Sequence, residues 1–130
     1  MPRSFVGEFK PDDLLHFVEL DEFADDWQSL GFDSEIDLWA LQDAIMLNPE
    51  AGKVIAGTGG LRKLRFGRAE DRIGKRGGVR VCYIHFPGHA IVLLVTAYGK
   101  NEKDDLTPIE KKYIREYIER ARAWLDSRFE

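Results

Sequence analysis

Gly57-Thr58-Gly59-Gly60-Leu61-Arg62-Lys63-Leu64-Arg65-Phe66 passes from a glycine-rich connection into a strand, and its reading decides the fold. Along Leu61–Phe66, Lys63 and Arg65 point one way and Leu64 and Phe66 the other, the period of a pleated strand. The polar, basic stretch Gly67–Gly77 reads as a hairpin loop, and Val79-Arg80-Val81-Cys82-Tyr83-Ile84-His85-Phe86 returns as a second strand. Pro87-Gly88 turns the chain into a third, Ala90–Tyr98, whose Ile91-Val92-Leu93-Leu94-Val95 run has the continuous apolar character of a central strand.

The segments on either side supply cover for this meander. Leu14–Leu20 is short, apolar and bounded by acids, as a buried strand is. Asp21 or Glu22 opens a helix with Phe23, Trp27 and Leu30 on one face, and Gly31 is its expected C′ glycine. A second helix, capped by Asp33 or Ser34, is predicted to bury Leu38, Trp39, Leu41 and Ile45 and to stop at Asn48-Pro49. Ala51–Gly60 reads as a connection. Thr107-Pro108-Ile109-Glu110 combines a threonine cap, proline at N1 and glutamate at N3, so a long final helix starts there. Ile109, Tyr113, Ile114, Tyr117, Ile118, Ala121, Trp124 and Leu125 form its expected apolar stripe. The order β-α-α-β-β-β-α over one domain, 1–130, predicts a small α+β fold. Its N-terminal helices pack on one face of a twisted, antiparallel-rich sheet, with a long C-terminal helix and residues 1–12 as a poorly ordered extension.

With 130 residues and 44% hydrophobic content, one domain with a real core is expected. No apolar run approaches the roughly 18–20 residues that span a bilayer. Met1-Pro2-Arg3-Ser4 leads into acidic and aromatic residues rather than a secretory signal, and the single cysteine, Cys82, excludes an intramolecular disulfide, so a cytoplasmic protein is expected. Charge is segregated. Gly52–Arg80 holds nine Lys and Arg against Glu70 and Asp71, a net of +7, inside a chain of formal charge −4. Residues 1–51 hold two cations against thirteen acids, a net of −11.

Such a local basic segment points to a phosphate-binding surface. If the three strands are neighbours, Lys63, Arg65 and Arg80, with Tyr98 and Lys100 at the end of the third strand, converge on the face the helices leave uncovered. The alternative is an ordinary solvated sheet face. Gly57-Thr58-Gly59-Gly60 matches neither a P-loop nor a Rossmann fingerprint and reads as turns or close backbone approach. His85 and His89 flank a turn but have no further ligands at metal spacing. Asp12-Asp13, Asp25-Asp26 and Asp104-Asp105 read as solvated acids, and Cys82 as a buried thiol. No metal or cofactor is expected.

Asn48-Pro49-Glu50-Ala51-Gly52, Gly57–Arg65, Gly74-Lys75-Arg76-Gly77-Gly78-Val79-Arg80-Val81 and Tyr98–Thr107, in that order, resemble the RelE/HigB-like toxins of bacterial type II toxin–antitoxin systems. The resemblance is to the HigB-like branch with a G-T-G-G-[LI]-R-K-L-R segment and runs from about Leu14 to the last helix. It implies a ribosome-dependent mRNA endonuclease (an mRNA interferase) that works without metal through attack by the ribose 2′-hydroxyl, and a HigA-like helix-turn-helix antitoxin as partner. By position it makes Lys63 the candidate base and Arg80 the phosphate-stabilising arginine, with Arg65 beside them. Arg62, Lys75, Arg76, Tyr98 and Lys100 become RNA contacts, with Tyr98 stacking on a base or positioning the ribose. Leu61 and Asn101 stand where the best-known members have a lysine and an arginine, which leaves the general acid unassigned. A homodimer is compatible with the sequence. Two other readings stay open: a ParE-like inhibitor of DNA gyrase, and a domesticated module that only binds RNA or an antitoxin.

Overall fold

The computed structural model describes residues 15–67, 78–99 and 106–128. Strands β1 (His16–Glu19), β2 (Lys53–Val54), β3 (Leu61–Phe66), β4 (Val79–Phe86) and β5 (Ile91–Tyr98) form one sheet in the order β1-β5-β4-β3-β2. Helices α1 (Asp21–Ser29) and α2 (Ile36–Leu47) follow β1, and α3 (Pro108–Arg128) follows β5. The fold is α+β. β2 to β5 are antiparallel neighbours, whereas β1 joins β5 in parallel, with His16 opposite Ile91 and Glu19 opposite Leu94. The extension 1–12 lies outside the described residues.

β4 shows why the sheet needs two covers. Val79, Val81 and Tyr83 enter one core with Phe23 and Trp27 of α1 and Leu38, Leu41 and Ile45 of α2. The alternate residues Cys82, Ile84 and Phe86 enter a second core with Ile118 and Leu125 of α3. The helices therefore occupy both faces, and α3 lies on the side that carries Lys63 and Arg65. No face is left bare for the cations, and they sit beside a helix instead. A bulge at Cys82/Tyr83 skips Val95 in the β4–β5 register.

Local rules place the helix ends. Gly31 follows α1 at φ +84°. The N-cap of α2 is Glu35, with no side-chain cap, rather than Asp33 or Ser34; Asp33 instead accepts from the amides of Glu35 and Ile36 at 3.0 and 3.1 Å and shapes the turn that leads into the helix. At α3, Thr107 Oγ1 accepts from Glu110 N at 3.1 Å while Glu110 Oε1 accepts from Thr107 N at 2.9 Å, closing the capping box.

Four expected burials, one on α2 and three on α3, differ. Trp39 is 59% exposed, because Leu38, Leu41 and Ile45 hold the inward row and Trp39 lies about 100° from Leu38 around the axis. On α3, Ile114, Ile118, Ala121 and Leu125 form the inward row, with Tyr117 half-buried beside it. Ile109, Tyr113 and Trp124 fall on its flanks and are exposed. Trp124 instead packs under Arg128, whose guanidinium lies 5.0 Å from the ring centroid.

Candidate nucleic-acid interface

Directly opposed residues of antiparallel strands share a face, and the registers here oppose cations. Arg65 of β3 stands opposite Arg80 of β4. Two residues along β3, on the same face, Lys63 stands opposite Lys53 of β2. Arg80 in turn stands opposite Tyr98 of β5. Directly opposed side chains have Cβ atoms about 4.5–5.5 Å apart, and like charges at that spacing destabilise the strand pair. Four cations therefore occupy one corner of the sheet as two like-charged pairs. Arg65 is exposed, and Lys63 and Arg80 are half-buried. The Arg80 guanidinium donates to Gly78 O at 2.9 Å, which anchors it at the β3–β4 end.

Sequence reasoning missed Lys53 as a site residue because Ala51–Gly60 read as a connection. The structure makes Lys53–Val54 an edge strand, and the device that does so begins at Asn48-Pro49-Glu50-Ala51-Gly52. Tyr83 Oη accepts from Gly52 N at 3.0 Å and donates to Pro49 O at 2.8 Å. A Cβ on Gly52 would stand 2.9 Å from the Tyr83 ring, so glycine is required for this approach. Burial pushes the Tyr83 hydroxyl above its ordinary 10.0, against the lowering effects of the Gly52 amide and Arg62, which keeps it a proton donor. Arg62 completes the lock, donating to Gly52 O at 2.7 Å and Glu50 O at 3.4 Å. It thus lies on the α1/α2 face opposite Tyr83, away from Lys63, Arg65 and Arg80.

The Gly57-Thr58-Gly59-Gly60 run closes the β2–β3 hairpin against α3. Buried Thr58 donates its hydroxyl to Ile55 O at 2.6 Å and accepts from Leu61 N at 3.0 Å. Gly59, at φ +80°, lies where a Cβ would come 3.2 Å from Arg115 Cγ, and Arg115 donates to Gly57 O at 3.0 Å. Both glycine motifs are therefore frame, holding β2 and β3 in the register that opposes Lys53 with Lys63.

Tyr98 is 6% exposed, with its ring in the α3-side core, so it abuts the cation row from beneath and offers no face for a base to stack on. An apolar groove beside it is walled by Leu20, Val95, Leu106 and Tyr117, and among the described residues no cation lines it. Lys75, Arg76 and Lys100 lie outside the described residues, as do Asp12, Asp13, Asp104 and Asp105. Asp26 has a structural task that its sequence neighbourhood did not announce. Its Oδ2 accepts from Thr96 Oγ1 at 2.7 Å and Ala97 N at 3.2 Å, covering the edge of β5 beyond the end of β1. The two turn histidines part company. His89 Nε2 pairs with Asp126 of α3 at 2.8 Å. His85 sits near Arg62, and burial first, then that charge, lowers it from 6.5, against the opposing effect of Glu50. Among the described residues, no group of three or more His, Cys, Asp or Glu could hold a metal ion. Among those residues, too, no helix is long and apolar enough to cross a membrane.

No family model matches the chain. Among solved structures, it is similar to the free-state structure of an arginine-to-alanine mutant of the E. coli toxin RelE, at 13% identity and a TM-score of 0.49. That alignment covers 70% of this chain and 88% of the other.

Proposed function

We propose that this chain is an endoribonuclease, and that the sheet corner of Lys53, Lys63, Arg65 and Arg80 is its active face. The observation that carries this reading is the double opposition of like charges, Arg65 to Arg80 and Lys53 to Lys63. Four cations on one face at cross-strand spacing can each give a bound polyanion a charge-assisted contact. Arg65 and Lys53 are exposed on this face, where a strand of RNA can reach them.

The reaction is cleavage by the neighbouring ribose. The 2′-oxygen loses its proton and attacks the adjacent phosphorus, the bond to the 5′-oxygen breaks, and that oxygen takes up a proton. The products are a 2′,3′-cyclic phosphate and a 5′-hydroxyl, with no change in oxidation state. Lys63, in its uncharged amine form, takes the 2′-proton. Arg80, held by Gly78, and Arg65 donate to the equatorial oxygens, where charge builds in the phosphorane transition state. Lys53, on the outer edge, holds the next phosphate. The order of motifs resembling RelE/HigB-like toxins adds the ribosome as the platform that presents mRNA, and a HigA-like antitoxin as the protein that silences the activity. Lys75, Arg76 and Lys100 belong to the RNA-contacting set in this reading. Arg62 and Tyr98 support it from within the fold.

The test is cleavage of a defined mRNA on programmed ribosomes by wild type, Lys63→Ala and Arg80→Ala. Wild type is expected to cut within A-site codons, and each variant to lose at least about a hundredfold in rate, the usual scale for one transition-state donor. A folded wild-type protein that makes no cut contradicts the proposal.

A further inference from the structure

Helix α3 carries cations that the proposed reaction does not use. At about 100° per residue, Lys111, Arg115 and Arg122 fall within roughly 40° of one another, in a row roughly 16 Å long. Each stands against one glycine of the β2–β3 loop. A Cβ on Gly57 would lie 3.6 Å from Lys111 Cδ, one on Gly59 3.2 Å from Arg115 Cγ, and one on Gly60 3.8 Å from a guanidinium nitrogen of Arg122. The loop thus meets the row with bare backbone, and its one remaining side chain, Thr58, is buried. Both arginines are exposed and Lys111 is half-buried. Arg115 donates to Gly57 O at 3.0 Å, and the Arg122 guanidinium lies 5.7 Å from the Phe86 ring centroid, so both heads are held in place. Two carboxylates share this flank: Asp126, which pairs with His89 at 2.8 Å, and Glu119, one turn beyond Arg115. Among the described residues, no ion pair involves Lys111, Arg115 or Arg122.

We propose that this row is a second phosphate-binding strip, which continues the cation corner along α3 and holds the RNA that flanks the cleavage point. The inference rests on the endoribonuclease reading. Its first support is continuity. Lys53 begins β2 on the α3 side of the sheet, and Gly57, against Lys111, is four residues on, at most roughly 14 Å away. A phosphate chain that leaves the corner past Lys53 therefore meets Lys111 next. The second support is composition. The exposed large apolar residues of α3, Ile109, Tyr113 and Trp124, lie roughly 160–220° round the helix from Lys111. Among the described residues, this flank offers ammonium and guanidinium groups and no apolar anchor, which suits a nucleic-acid backbone better than a protein.

The experiment is fluorescence anisotropy of the full chain with 2′-O-methyl RNA, which has no free 2′-hydroxyl to attack with. A tetranucleotide fills the corner alone, and a dodecanucleotide reaches the strip. Wild type is expected to bind the longer RNA at least about tenfold more tightly, with a steeper salt slope. Lys111→Gln/Arg115→Gln/Arg122→Gln should remove most of that gain and lower the longer RNA's slope by about 2, roughly 0.7 for each contact. Glu119→Lys, which adds a cation beside Arg115, should tighten binding of the longer RNA only, an effect that misfolding cannot give. Equal affinity for the two lengths, a triple variant that keeps the whole gain, or no response to Glu119→Lys overturns the inference. So does polyglutamate that binds as tightly as the dodecanucleotide, since the row would then serve an acidic protein. Lys63→Ala/Arg80→Ala separates the strip from the corner. If it weakens the tetranucleotide while the length gain proves independent of α3, the corner stands and the strip falls. Wild type that binds neither RNA sinks both.

Discussion

Arg65 and Arg80 stand opposite each other on β3 and β4, and this pair should leave a mark on stability as well as on activity. Replacing Arg65 with Ser removes a like-charge opposition that costs about 0.2–1 kcal/mol. Arg65→Ser is therefore expected to raise the urea midpoint while cleavage falls, with added salt shrinking the stability gain. A midpoint that drops would mean that Arg65 is a structural residue. His85 offers a second check at this scale. Its ordinary value is 6.5 and its folded value is lower, so above 6.5 both states hold it neutral and its contribution is complete. As pH falls below 6.5 the unfolded chain takes a proton that the folded chain resists, and stability is lost toward the lower folded value. Urea midpoints at about pH 8 and about pH 5 should differ more for wild type than for His85→Asn. Equal differences would remove His85 from the account of acid sensitivity.

The secondary elements divide by how local their causes are. β3 at Leu61–Phe66, β4 at Val79–Phe86 and the start of α3 at Thr107-Pro108 follow from alternation and capping, which a reader of the sequence can see. β2 is a different case. Lys53–Val54 becomes a strand because the Tyr83 hydroxyl, 31 residues from Gly52, pins the turn before it. Nothing local distinguishes it from a loop, so Lys53 was invisible as a member of the site. Trp39 was misplaced for a related reason: α2 is apolar on most sides, and periodicity alone cannot choose which side turns inward. Each local device has a measurable worth. Thr107→Ala should cost about 1 kcal/mol by opening the capping box. Gly59→Ala should destabilise by more than the roughly 0.4–1 kcal/mol that such a change gains at a compatible site, since its φ of +80° and the nearby Arg115 both oppose a Cβ. Chemical denaturation measures both. A neutral Gly59→Ala would mean that the β2–β3 loop is not held against α3.

Across the whole molecule, charge is sorted by layer. The α1/α2 layer is acidic, the β2–β3–β4 corner is basic, and the chain as a whole is net negative at −4. A protein of that net charge has no general affinity for RNA, so the proposed binding would come from the corner and would be steeply salt-dependent. For a short single-stranded RNA, each phosphate contact contributes roughly 0.7 to the slope of log K against log salt. Lys53→Gln is therefore expected to lower that slope by about 0.7 in filter binding or anisotropy, with cleavage chemistry retained once RNA is bound. An unchanged slope would take Lys53 off the RNA path and return it to the solvated edge. The sorting of charge was plain in the sequence, but the opposition of the cations was not, because register is a property of paired strands.

If this corner makes a ribose attack its own phosphate, a substrate without the attacking oxygen must resist it. The mapped cut site of an mRNA on programmed ribosomes is replaced by a single 2′-deoxynucleotide and compared with the all-ribose message. The all-ribose message should be cut to a 2′,3′-cyclic phosphate or its opened product, and the 2′-deoxy position should remain intact. Cleavage at the 2′-deoxy position would contradict the mechanism, because the attacking oxygen would be absent from the substrate.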